Sequence, residues 1–221
     1  MNFEELAKKF EVSEDEFKDM ISYVFSNNLS ALAFFEGYGS EYLLEKHIKT
    51  IPEITGHYKP GDNNLEVKGD VVVTYKDVPV SIEAKNVRRG TNSRKRKPKH
   101  IVNLEESYWT GYFSTRRPRS KLVTFSDGSQ VDTYNSLRGQ YDIIAVNVFQ
   151  LIGKQQFVYC LETHLPSTEY IQAYTDLSPL QCQETLRGEI LVRWPPVAPW
   201  TDSLQDVLEQ ALAHKQAPSS V

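Results

Sequence analysis

The chain has 221 residues, 40% of them hydrophobic and 24% charged, with a formal net charge of −4. This is the composition of a globular domain with a sizeable core. It excludes a disulfide scaffold, because Cys160 and Cys182 are the only cysteines, and a membrane span, because the longest apolar stretch (141–149) is short and interrupted. Glu4, Glu5, Lys8 and Lys9 occupy the positions where a signal peptide would turn apolar, so a cytoplasmic protein is expected. The small net charge conceals an asymmetry. Between residues 86 and 121, eleven Lys and Arg stand against two Glu, a local +9, and the remainder carries −13. A basic stripe on an acidic protein attracts a polyanion at one place and resists it elsewhere.

Residues 3–28 read as two helices, with Leu6, Ala7 and Phe10 and then Phe17, Met20, Ile21, Val24 and Phe25 at helical spacing. Ser13, followed three residues later by Glu16, forms a capping box between them. The pair resembles a helix-turn-helix. Its second helix would present Glu14, Asp15, Glu16 and Asp19 to phosphates, so plain helical packing is the expectation. Gly37 and Gly39 punctuate the chain. Ser40 then opens a helix to about residue 51, with Leu44, Ile48 and Ile51 as its stripe and Pro52 at its end. A loop with Gly56, Pro60 and Gly61 leads to a strand near 65–68.

Residues 70–85, DVVVTYKDVPVSIEAK, place two β-branched runs around the polar pair Lys76-Asp77, the pattern of a tight hairpin. If Lys76-Asp77 is the turn, Tyr75 pairs with Val78, and counting back sets Asp70 opposite Glu83. Alternation puts Glu83 and Lys85 on one face and Ile82 and Ala84 on the other. Opposed carboxylates about 5 Å apart repel by about 3 kcal/mol at an effective dielectric of about 20. A divalent cation between them would offset that, and Lys85 adds a third polar group. Hard cations such as Mg²⁺ take one or two carboxylates plus water and substrate phosphate.

Beyond the hairpin come Arg88, Arg89 and the run Arg94, Lys95, Arg96, Lys97 and Lys99. Next are Tyr108, Trp109, Tyr112 and Phe113, and then Arg116, Arg117, Arg119 and Lys121. Basic clusters interleaved with aromatics suit phosphate contact with base or sugar packing, although core packing competes for the aromatics. Residues 126–129 read as a turn, 141–149 as a strand buried on both faces, and 156–163 as another strand. A helix near 179–187 and a strand near 189–194 follow. After the proline-rich 195–199, a terminal helix carries the stripe Leu204, Val207, Leu208, Ala211 and Leu212, capped by Asp202 or Ser203. That helix covers either the sheet or a subunit interface. The five histidines show no zinc-ligand spacing, and neither G-x-x-x-x-G-K nor G-x-S-x-G occurs.

The order of a helix with Glu41, a strand with Asp70, a strand with Glu83-Ala84-Lys85, a basic helical region and a buried strand resembles the PD-(D/E)XK nuclease superfamily, and its type II restriction endonucleases in particular. The resemblance spans about residues 37–163, with Gly69 where the family motif has proline. It implies an α/β fold with a restriction-endonuclease-like core, a mixed central sheet flanked by helices. The implied layout is an N-terminal helical segment (1–36), a nuclease core (37–194) with a basic DNA-binding insertion (86–121), and a C-terminal linker and helix (195–221). It further implies that Asp70 and Glu83 bind Mg²⁺ with the Ala84 carbonyl, that Lys85 positions water, and that Glu41 assists, with Glu36 and Glu45 behind it. The implied substrate is double-stranded DNA, cut at a short palindromic site by a homodimer. A repair or junction nuclease, or a noncatalytic nucleic-acid-binding protein, is the alternative.

Overall fold

The computed structural model describes residues 3–60, 69–88, 109–117, 119–171 and 176–217. The expected strand near 65–68, Tyr108, and the cations Arg89, Arg94, Lys95, Arg96, Lys97 and Lys99 lie outside the described residues. The chain divides into two compact units, 1–39 and 40–221.

In the first unit, α1 (Phe3–Lys9) and α2 (Glu14–Asn27) are the two helices expected, with the Ser13–Glu16 capping box formed at the start of α2. The buried Phe17 ring packs against Phe3 and Phe10, with centroids 5.6 and 5.5 Å away, which is ordinary helical packing. Asn28 Oδ1 accepts the N–H groups of Ser30 and Ala31 and opens α3 (Leu29–Ile48). The break expected at Gly37 and Gly39 is absent. A helical glycine costs only about 1 kcal/mol relative to alanine, and the good helix formers around this pair carry the helix through it. The boundary between the units falls within α3.

The second unit continues with β1 (Ile54–Tyr58), β2 (Val71–Tyr75), β3 (Val78–Asn86), β4 (Trp109–Ser114), β5 (Lys121–Thr124), β6 (Gln130–Thr133) and β7 (Ile143–Asn147). Then come α4 (Phe149–Ile152), β8 (Phe157–Leu161), a 3-10 turn (Glu162–His164), α5 (Pro179–Gln183), β9 (Glu189–Trp194) and α6 (Leu204–Gln216). A five-stranded sheet runs β1-β2-β3-β7-β8, with β3 and β7 parallel and the other neighbours antiparallel. The fold is therefore mixed α/β, a mixed central sheet flanked by helices. Two-stranded sheets β4-β9 and β5-β6 accompany it.

Alternation along the strands builds two cores. Val71, Val73, Tyr75, Val80, Ile82, Ile143 and Ala145 face Leu44 and Ile48 of α3 and the apolar stripe of α6. The terminal helix thus covers its own sheet. On the other face, Ile144, Val146, Val158 and Cys160 meet Val87, Phe113, Ile190, Val192 and Trp200. β7 is buried on both faces, as the apolar residues 143–146 imply.

The region expected to be basic and helical is, where described, strand β4 and a loop. In it Phe113 is buried, whereas Trp109 and Tyr112 are exposed. Strand β1 was not anticipated, because Thr-Gly-His lacks strand alternation; pairing with β2 holds it despite an irregular register between Ile54 and Gly56. No helix among the described residues is long and apolar enough to cross a membrane.

The hairpin has the anticipated register, Tyr75 opposite Val78 through Val71 opposite Ile82. Its turn residues Lys76 and Asp77 have φ of 47° and 64°, the type I′ geometry that matches strand twist. Left-handed backbone strains any residue with a Cβ. Asp77→Gly should therefore raise stability by about 0.5–1 kcal/mol in urea unfolding, after the greater freedom of glycine in the unfolded chain is offset.

Candidate active site

The regular pairing ends at Val71 opposite Ile82, and beyond it two off-register hydrogen bonds, rather than a further ladder pair, bring Asp70 beside Glu83. The Asp70 N–H donates to Ile82 O (2.9 Å), and the Ala84 N–H donates to Asp70 Oδ2 (2.7 Å). Lys85, two residues on along β3, forms an ion pair with Glu83, and the side chains of both are largely shielded from solvent. Asp70, Glu83, Ala84 and Lys85 are thus brought together. Gly69, just before Asp70, has φ of +103°, which proline cannot adopt, and a Cβ there would stand 3.0 Å from Ile82 O. The glycine where the resembled motif has proline is what this approach to β3 requires.

Burial, then the charge of Glu83, raises the Asp70 carboxyl to about 7, although Lys85 and the Ala84 N–H oppose the rise. Burial pulls the Lys85 pKa down, but Glu83, Tyr141 and Asp70 outweigh it and the net direction is up, so the ammonium stays charged at neutral pH. Glu41 contributes the weakest of the effects on Asp70, and its carboxylate is engaged by Lys59. Glu45 is bound to Lys49 (2.7 Å) and His57 (3.1 Å), and Glu36 belongs to the first unit.

Among the described residues no three His, Cys, Asp or Glu side chains form a metal-holding group. A magnesium site needs fewer. Two carboxylates with water and a substrate phosphate are its usual complement, and Asp70 keeps one oxygen clear of the Ala84 N–H. A dication would also offset the repulsion that raises Asp70, so the donor set fits the ion.

Residues remote in sequence hold this geometry. Asp142 Oδ2 accepts the Ser81 N–H (2.7 Å) and hydroxyl (3.0 Å) and pairs with Lys215 (2.8 Å), tying the start of β7 to β3. Past Lys85, Ser40 donates to Asn86 Oδ1, and the buried Asn147 donates to Ser40 Oγ (2.9 Å) and Gln155 Oε1 (2.7 Å). Sequence reading missed this knot, since isolated Ser and Asn residues signal nothing until the fold joins them.

A cleft of about 420 Å³ opens beside Glu83, lined also by Tyr141, Gln140, Arg117 and Lys121. Of the other cations singled out from sequence, Arg88 pairs with Glu189 (2.8 Å), Arg116 lies against Gly188, and Arg119 is exposed. The segment between the lining residues Leu137 and Gln140 is tied to residues 162–165. Arg138 donates to Leu165 O and Thr163 O (2.8 Å each), and the Gly139 N–H donates to Glu162 Oε2 (3.1 Å).

No protein-family model matches this sequence, and no curated protein matches it. Among solved structures the chain is similar to the bacterial homing endonuclease I-Ssp6803I, at 10% identity and a TM-score of 0.40, over 81% of this chain and 95% of that one. A likeness of that size does not place the chain in a family.

Glu162 is 1% exposed, its Oε1 has no hydrogen-bond partner among the described residues, and burial raises its pKa against the opposing Gly139 N–H and Arg138. Its folded pKa lies above the unfolded value near 4.5, so the unfolded state binds fewer protons and stability falls as pH rises from there through the folded pKa. Glu162→Gln removes the charge and keeps an acceptor for Gly139. Its thermal midpoint should exceed that of wild type at pH 8, with the difference shrinking at pH 4. Melting curves at both pH values check this, and an equal difference at both would rule out the charge as the cause.

Proposed function

We propose that the chain is a Mg²⁺-dependent endonuclease of the PD-(D/E)XK type acting on double-stranded DNA, in the manner of a type II restriction enzyme. The observation that carries this reading is the gathering of Asp70 and Glu83 at the end of the hairpin, with Lys85 paired to Glu83 on the same strand. Glu41 is an outer contributor, through its charge.

Asp70 and Glu83 would hold the cation, with the Ala84 carbonyl beside them. When bound, the ion supplies charge neutralisation at the phosphate and lowers the pKa of water. Lys85 remains protonated at neutral pH, so it acts as a donor that aims the attacking water and stabilises the developing phosphoryl charge. Water oxygen joins phosphorus and gives up a proton to solvent, the bond to the 3′ oxygen breaks, and that oxygen takes a proton from solvent, so one water is consumed with no net proton. The products are a 5′-phosphate and a 3′-hydroxyl. The cations of the 86–121 region neutralise backbone phosphates in this scheme and set affinity rather than rate.

Lys85→Ala should lower cleavage of plasmid DNA in Mg²⁺ by at least a hundredfold while duplex affinity stays within about twofold, because the lysine acts in the transition state. Asp70→Ala should abolish metal-dependent cleavage. Cutting by the Lys85→Ala protein at the wild-type rate would sink the assignment.

One such site hydrolyses one strand, and the strands of a duplex are antiparallel, so two copies related by a two-fold axis suit a palindromic site. The apolar stripe of α6, one surface considered for that contact, is buried on its own sheet, so the interface must lie elsewhere. Sedimentation with a short duplex should show two chains per duplex. A monomer that only nicks would favour the repair or junction role and leave the metal site standing.

A further inference from the structure

The cleft beside Glu83 has a second wall whose side chains the triad does not use. Its volume of about 420 Å³ is that of a small-ligand site. Arg117 is half-buried and lines it, and among the described residues its guanidinium makes no hydrogen bond or ion pair. A partly shielded guanidinium with no protein partner keeps its donors available to an anion that enters the cleft. Lys121, also lining the cleft, is exposed and likewise unpaired among the described residues.

The rest of the lining is chemically mixed. Leu122, on β5, is 67% exposed and gives the cleft an apolar surface. Tyr141 also lines the cleft, its hydroxyl donating to Ser136 Oγ (3.3 Å). Gln140 brings an amide that has no partner among the described residues. Cations, an apolar surface and an amide around one compact space match a phosphate, a sugar-base body and its polar edges. A free inorganic anion would use only the cations.

We propose that this cleft is a mononucleotide subsite: Arg117 and Lys121 take a phosphate of a deoxynucleotide neighbouring the reacting bond, Leu122 and Tyr141 flank its sugar and base, and Gln140 contacts its polar edge. The assignment rests on the nuclease reading for its place in a reaction, but binding tests it separately from cleavage.

The experiment titrates the metal-free full chain with dTMP, inorganic phosphate and thymidine, followed by NMR shifts, with plasmid cleavage assayed in parallel. Wild type should bind dTMP at least fivefold more tightly than phosphate and bind thymidine weakest. Arg117→Ala should weaken dTMP at least tenfold, and Leu122→Ser should bring dTMP down to the level of phosphate while leaving phosphate unchanged. Lys154→Ala, away from the cleft, should alter none of these. Equal affinity for dTMP and phosphate in wild type, or unchanged dTMP binding in Arg117→Ala with a native spectrum, overturns the subsite even if the protein cuts DNA. Binding of dTMP through Arg117 by a protein that never cuts supports the subsite and overturns the nuclease reading instead.

Discussion

The register of the β2–β3 hairpin, which ends at Val71 opposite Ile82 and leaves Asp70 beside Glu83, is the constraint on which the rest of the site depends. Side chains alternate with period two, so a slip of one residue would turn Glu83 inward and Ile82 outward. Val73, Val80 and Ile82 are fully buried against α3 and α6, and the core therefore enforces the register that creates the site. The type I′ turn fixes one end of the hairpin. At the other, the Asp70 N–H bond to Ile82 O and the left-handed Gly69 bring the chain in against β3.

That register has an electrostatic consequence. It holds two carboxylates where water is partly excluded, with one lysine to answer them, and the rise of Asp70 expresses the imbalance. Such an arrangement persists only where the surrounding structure over-determines it. Here the Ser81–Asp142–Lys215 tie, the Ser40–Asn86–Asn147 knot and the apolar packing of β7 hold β3 from both sides.

The hairpin, its register and the buried β7 were legible because their signals are local: β-branched runs, one polar pair and a continuous apolar stretch. The stripe of α6 was legible as a face, though not what it would cover. The unbroken α3 was not, because glycine punctuation is a weak penalty that neighbouring residues overcome. The β5–β6 ribbon was hidden for a different reason. Its four-residue strands carry Lys121, Leu122 and Thr124 exposed, so no apolar alternation marks them, yet Val123 and Phe125 reach a small core with Leu177 and Cys182. The acidic pair came from short-range counting. The residues that hold it, Ser40, Asp142 and Asn147, lie too far apart in sequence for any spacing rule.

Charge shows the same limit more sharply. Read along the chain, residues 86–121 are one basic stripe. In the fold its described members separate by what each one meets. Arg88 is answered by Glu189, and Arg116 lies over Gly188. Arg117 and Lys121 turn to the cleft beside Glu83 and meet no carboxylate within ion-pair distance among the described residues. A phosphate responds to local uncompensated charge, because screening removes the contribution of anything beyond roughly 10 Å at 0.1 M salt. The count of +9 thus describes attraction at a distance. In the proposed subsite it is the two cations beside Glu83, rather than the stripe as a whole, that would position a phosphate.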